Sequence, residues 1–161
     1  MKSLKQILRE ELEKYSNEII VYHGTSNEHN FDDRGRIYNG TFFSTNQNEA
    51  KAYGKYVYKV ELKPNIKIFD TNNLNDLKIL MNEFGVLYDD YFSEDEDEHY
   101  IKTVEQLYNH SDNWNPIERT DGVLDWLNGT YDGIWIYEGG VRNLLLFNPI
   151  KEKIKSITKI S

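Results

Sequence analysis

Two strand-like runs, "DGIWIYE" and "VRNLLLF", flank Gly139-Gly140 late in the chain, and this pairing constrains the fold more than any other feature. A Gly-Gly pair between β-rich runs reads as a hairpin with a two-residue loop. Pro149 then stops the second strand. A loop of that length sets the register: Glu138 faces Val141, and Ile136 faces Asn143. Directly paired residues point the same way and alternate residues share a face, so Glu138 and Asn143 are expected diagonally on one face.

Further strands are expected at "EIIVYHG" (Glu18–Gly24), "GTFFST" (Gly40–Thr45) and "KYVYKVEL" (Lys55–Leu62), the last ended by Pro64. Between them "NQNEAKAYG" (Asn46–Gly54) has an Asn start, good helix formers and a terminal Gly. "NLNDLKILMNEFG" (Asn73–Gly85) is a helix closed by Gly85, "YIKTVEQLYNH" (Tyr100–His110) a helical pattern and "TDGVLDWLNG" (Thr120–Gly129) a short helix. The closing "IKEKIKSITKI" fits either strand or helix. At the start, Leu4, Ile7, Leu8 and Leu12 make one apolar stripe, and Ser3 with Gln6 forms a capping box. The sum is an α+β, mostly antiparallel fold. Residues 1–16 form an N-terminal amphipathic helix packed on the flank, and 17–161 a single domain.

The chain has 161 residues, 14% of them aromatic, enough for one domain with a real core. At least two of Trp114, Trp126 and Trp135 are expected in that core. No cysteine is present, which removes disulfides and zinc-thiolate sites and fits a reducing cytoplasm. Met1–Glu11 is charged and lacks the apolar core of a signal peptide, and no run of about eighteen apolar residues spans a membrane. A net charge of −8 argues against a broad electrostatic grip on nucleic acid. The acidic run "DDYFSEDEDEH" (Asp89–His99) lacks the glycine and ligand spacing of a calcium loop and reads as solvated.

No phosphate-binding glycine loop and no histidine cluster with metal spacing occurs, so no metal is expected. Of four histidines only His23, in "VYHGTS", sits in strand-like apolar surroundings. Taken alone it reads as a core histidine.

Three segments read together change that. "VYHGT", "GTFFSTNQNEAKAYG" and the hairpin ending "NLLLFNP" resemble the ADP-ribosyltransferase superfamily, in its branch with a His-Tyr-Glu triad that includes the poly(ADP-ribose) polymerases and small bacterial and phage transferases. The resemblance covers roughly 19–62 and 131–157. It implies a split core of two small, mostly antiparallel sheets with flanking helices, and NAD as substrate. His23 would hydrogen-bond a ribose hydroxyl, and Gly24 would leave its backbone to pair with the nicotinamide amide. Phe42 and Tyr53, eleven residues apart with Gly40 in front, match the aromatic pair that sandwiches nicotinamide. That ring is flat and cationic, which suits aromatic faces. Thr25, Phe43 and Ser44 flank these positions as further NAD contacts. Many relatives carry a serine where this chain has Ala50.

Cleaving the nicotinamide–ribose bond generates an oxocarbenium-like centre that needs a nearby carboxylate and a fixed ribose. Aligning "NLLLFNP" with the family's last strand puts Asn143 at the glutamate position, where it can hydrogen-bond but carries no charge. Glu138 is the first choice for the acid and Asp125, in "VLDWL", the second. Arg34 or Arg36 is a candidate for the pyrophosphate. "YDGIW" opens the hairpin in small members of the family, so Asp132-Gly133 reads as a turn device.

The resemblance thus implies a mono-ADP-ribosyltransferase, of phage or toxin type, acting in the cytoplasm on a macromolecule. Protein is the preferred acceptor given the net charge; RNA, DNA and small molecules stay open. Two other readings stand beside it: a module that binds NAD, ADP-ribose or a protein without turnover, and an NAD glycohydrolase.

Overall fold

A computed structural model describes residues 1–8, 18–32, 39–89 and 100–161. Nine strands and five helices are defined among them. β1 is Ile20–Thr25, β2 Gly40–Ser44, β3 Tyr56–Leu62, β4 Ile68–Asp70, β5 Leu87–Tyr88, β6 Tyr100–Ile101, β7 Gly133–Glu138, β8 Val141–Phe147 and β9 Ile154–Lys159. The helices are α1 Gln47–Lys51, α2 Leu74–Phe84, α3 Val104–Tyr108, α4 Trp114–Arg119 and α5 Val123–Thr130, with a 3-10 turn at Lys151–Lys153. The chain is therefore α+β, and its main sheet is antiparallel apart from the β4–β7 pair.

Local chemistry sets the helix ends. The Asn46 side chain accepts from the N–H groups of Asn48 and Glu49 at 2.9 and 3.3 Å, starting α1. Asn73 caps α2 in the same way, and Gly85 ends it at φ 73°, a conformation glycine adopts without steric cost. The helix expected over Tyr100–His110 is shorter, because Thr103 and Gln106 form a reciprocal capping box that starts α3 at Val104. Tyr100 and Ile101 pair instead with Tyr88 and Leu87 as a separate two-stranded sheet. α4 was not expected; Pro116 in its first turn, where no N–H is needed, is the local signal for it.

The main sheet runs β4-β7-β8-β2-β1-β3-β9. Its hairpin has the register the loop length implies: Glu138 pairs with Val141 and Ile136 with Asn143. Gly139 and Gly140 take φ of 56° and 78°, as a tight turn of this hand requires. The closing segment is strand β9, paired with β3.

Two separate sheets were expected in the core, and the hydrogen bonding makes one. The join is narrow. β1 and β2 share a single residue pair, Tyr22 with Ser44. On one side of it β4, β7, β8 and β2 form four strands, and on the other β1, β3 and β9 form three.

Both faces of the hairpin are buried. Ile134, Ile136, Leu145 and Phe147 pack with Leu77, Leu80, Leu107 and Leu127 of the helices in one core. Trp135, Leu144 and Leu146 pack on the other face with Val21, Phe31, Phe43, Tyr58 and Val60. This second core draws on both halves of the sheet and holds them together across the narrow join. Trp114 and Trp135 are buried, with Trp126 packed at the edge of the helical core.

At the N-terminus, residues 4–8 are helical and the Ser3–Gln6 capping box forms, with bonds of 2.9 and 3.2 Å. Leu4, Ile7 and Leu8 are 72%, 45% and 54% exposed, so this turn does not bury the stripe expected to pack on the flank. Leu12 and the rest of that helix lie outside the described residues, as does the acidic run beyond Asp89.

Candidate functional site

The site is built where β1 and β2 part. The backbone alternation of both strands can be read from their outer partners. Leu62 donates its N–H to the Ile19 carbonyl at 3.0 Å, so in the β1–β3 register residues 19, 21, 23 and 25 bond toward β3. Residues 20, 22 and 24 consequently aim their N–H and C=O groups toward β2. On β2, Asn148 donates to the Asn39 carbonyl and Thr45 to that of Arg142, so residues 40, 42 and 44 face β1. Tyr22 and Ser44 meet across the join. Gly24 and Phe42 would come next in a continuing ladder, but the strands have diverged and they are not paired. The main-chain amide and carbonyl of Gly24 thus face β2 without a ladder partner on it.

His23 stands beside the gap between the parting strands. Its Nδ1 donates to the Phe42 carbonyl at 2.9 Å, taking the acceptor that the interrupted ladder leaves. A carbonyl oxygen can only accept, so Nδ1 carries the proton and Nε2 of the neutral ring is an acceptor. The imidazole packs against His29, Phe43 and Phe31 at centroid distances of 4.8, 5.5 and 5.6 Å. These contacts fix its orientation.

Gly24 has a second constraint. A Cβ at this position would lie 1.6 Å from the Ala50 carbonyl oxygen, so α1 rests directly on the glycine backbone. The Ala50 carbonyl also accepts from the N–H of Tyr53 at 3.1 Å. This contact ties the turn that carries Tyr53 to β1, and the Tyr53 ring is 72% exposed. Gly54, next in sequence, lies against the Thr25 backbone. The Thr25 hydroxyl accepts from the Asn27 N–H at 3.4 Å.

Strand alternation separates the remaining residues. Phe42 is 40% exposed whereas Phe43 is 2% exposed and belongs to the second core. The cross-strand row Tyr22, Ser44, Asn143 and Ile136 shares one face, and Phe42 and Glu138 fall on that face too. His23 lies with Phe43 on the other. Ser44 is buried and its hydroxyl accepts from the Asn46 N–H at 3.0 Å, helping to start α1.

Asn143 carries an anomaly. Its Oδ1 is buried and, among the described residues, has no hydrogen-bond partner. A buried amide oxygen left unsatisfied costs about 1–3 kcal/mol.

Glu138 lies diagonally from Asn143 on the same face, as the hairpin register requires. Its carboxyl is held above the usual carboxylate range, first by burial and then by the negative charges of Asp112, Glu118 and Glu49. Asp125 is not among the charges acting on it. It stands in the first turn of α5, whose Val123 and Leu127 pack into the helical core. Asp132, read from sequence as part of a turn, accepts from the Lys67 N–H at 2.8 Å, which anchors β4 beside β7. Arg34 and Arg36 lie outside the described residues. Among the described residues no group of three His, Cys, Asp or Glu converges to hold a metal, and no helix is long and apolar enough to cross a membrane.

The structure therefore brings His23, Gly24, the Phe42 backbone and the Tyr53 turn together. It sets Ser44, Asn143 and Glu138 along the neighbouring face. The acidic surroundings of Glu138 were not foreseen, because they come from α1, α4 and the segment before α4, far apart in sequence.

No family model matches this chain, and no curated protein matches it. Among solved structures, the crystal structure of an anti-CRISPR protein is similar with a TM-score of 0.50, over 90% of this chain and 97% of that chain, at 16% sequence identity. At that identity the likeness speaks to the fold alone.

Proposed function

We propose that this chain is a mono-ADP-ribosyltransferase with an ADP-ribosyltransferase-like split core, cleaving NAD at the nicotinamide–ribose bond and transferring ADP-ribose to a protein. The observation that carries the reading is Gly24 beside His23 at the parting of β1 and β2. A backbone N–H and C=O that face β2 without a ladder partner match the carbonyl and amine of a carboxamide, and an imidazole with an acceptor Nε2 matches a ribose hydroxyl. The exposed rings of Phe42 and Tyr53 suit a flat cationic nicotinamide. The orphaned Oδ1 of Asn143 suits a second ribose hydroxyl.

In this reading nicotinamide leaves with the electron pair of the glycosidic bond. The acceptor's nucleophile adds to the ribose carbon, and its proton passes to Glu138. The positive charge developing on the ribose is offset by the same carboxylate once ionised. The similar protein is an anti-CRISPR protein, so a phage–host setting, with a bacterial defence protein as acceptor in the cytoplasm, fits the proposal.

Asn143 favours a second reading. With a neutral side chain where the resembled family has glutamate, the same cleft would bind NAD or ADP-ribose without turnover. Incubating the purified chain with labelled NAD and bacterial lysate separates the readings. Label on a protein band supports transfer, and nicotinamide release without lysate marks a glycohydrolase. Binding of NAD with neither outcome sinks the enzyme proposal and leaves the binding module.

A further inference from the structure

The Tyr22–Ser44 pair has an opening on its other side as well. There β1 and the end of β2 part around a cavity of about 360 Å³ lined by Glu18, Ile19, Ile20, Thr45, Trp135 and Arg142. The guanidinium of Arg142 lies over the Trp135 indole, with 4.0 Å from its central carbon to the ring centroid. Stacking in this way fixes the plane of the fork before any ligand arrives. Among the described residues no carboxylate lies within ion-pair reach of Arg142. Its neighbour on β7, the Tyr137 phenol, donates to Asp70 at 3.3 Å and is neutral at pH 7. Thr45 is tied to the main chain of the same residue, its hydroxyl donating to the Arg142 carbonyl at 2.6 Å. Ile19, Ile20 and the indole supply an apolar wall. The wall also carries one acid, Glu18, which forms no ion pair with Arg142.

We infer that this cavity is a second binding site, separate from the gap at His23 and Gly24, for an oxyanion attached to a small apolar or aromatic group. The guanidinium fork takes the oxyanion through paired N–H donors, and the isoleucines and indole take the apolar part. A carboxylate and a phosphate present the same chemistry to the fork. The site does not depend on NAD cleavage, since its residues lie beyond Tyr22–Ser44 from the gap.

The test uses the full chain labelled with ¹⁵N, titrated separately with benzoate and with phenyl phosphate, following the indole N–H of Trp135 and the amide of Gly24. The expected result is a saturable shift of Trp135 with at least one probe, the stronger naming the anion, and no shift of Gly24. Arg142→Lys keeps the charge but not the fork and should weaken binding about tenfold. Arg142→Gln should abolish it. Arg142 is exposed, so both variants should keep the remaining spectrum. The inference is overturned if neither probe shifts Trp135 saturably, or if Arg142→Gln binds as the unsubstituted chain does.

Discussion

Gly24 and Ala50 are in direct backbone contact: the carbonyl oxygen of the helix residue occupies the place where any side chain at position 24 would begin. Gly24→Ala must therefore push α1 away from β1 or displace β1 itself. Overpacking of this kind costs about 1–3 kcal/mol, so the variant should melt at lower denaturant. It should also lose NAD-dependent activity beyond what the stability loss explains, because the Tyr53 turn moves with α1. Denaturant titration and nicotinamide release at low temperature check the two effects. Full activity in a folded Gly24→Ala chain would count against the gap as the nicotinamide site.

Tyr53 offers the opposite case. Its ring is largely exposed, so Tyr53→Ala should change stability by no more than about 0.5 kcal/mol. Loss of one aromatic wall should nevertheless weaken NAD binding by roughly tenfold, the scale of a single stacking contact. Equal NAD affinity in the two proteins, measured calorimetrically, would remove Tyr53 from the site.

Glu138 bears on pH dependence. Its carboxyl titrates above the usual carboxylate range in the folded chain. The sign follows from linkage: a raised acid pKa gives stability that is present below the unfolded value and lost as pH rises through the folded one. Glu138→Gln should remove that component, so its stability relative to the unsubstituted chain should improve as pH rises through this window. In transfer assays the rate should climb with pH through the same window, as the carboxylate ionises, and Glu138→Gln should abolish the climb. A rate limb that survives the substitution would assign the proton to another group.

Asn143 should be a stability defect kept for binding. Asn143→Leu fills similar volume without an unsatisfied oxygen, so the variant should be as stable or more stable, by up to about 1–3 kcal/mol. NAD affinity should fall in the same protein. A destabilised Asn143→Leu chain with normal NAD binding would show that the amide serves the fold.

The hairpin register was legible because two glycines fix a loop of two residues, and everything about Glu138 and Asn143 as neighbours follows from it. Asn46, Asn73 and Gly85 likewise announced their helix ends through local hydrogen bonding and φ. Phe42 and Phe43 were both expected to contact NAD, but strand alternation leaves only Phe42 exposed and buries Phe43 in the second core. The divergence of β1 from β2 is a different kind of fact. It depends on how two half-sheets pack through Phe31, Phe43 and Trp135, residues from three distant segments. The divergence of β1 from β2 has no signature at short range. The hairpin register, by contrast, sets Trp135 and Arg142 diagonally on the hairpin's other face, and only the stacking of guanidinium on indole goes beyond it.

The central claim is that Gly24 presents its main chain to a carboxamide, and the amide resonance of Gly24 tests it most directly. Titrating ¹⁵N-labelled protein with NAD, and separately with nicotinamide, should shift the Gly24 N–H saturably. The His23 ring signals should respond to NAD and respond less to nicotinamide, which lacks the ribose. If NAD binds while the Gly24 amide stays where it was, or if neither ligand binds at all, the proposed site is wrong.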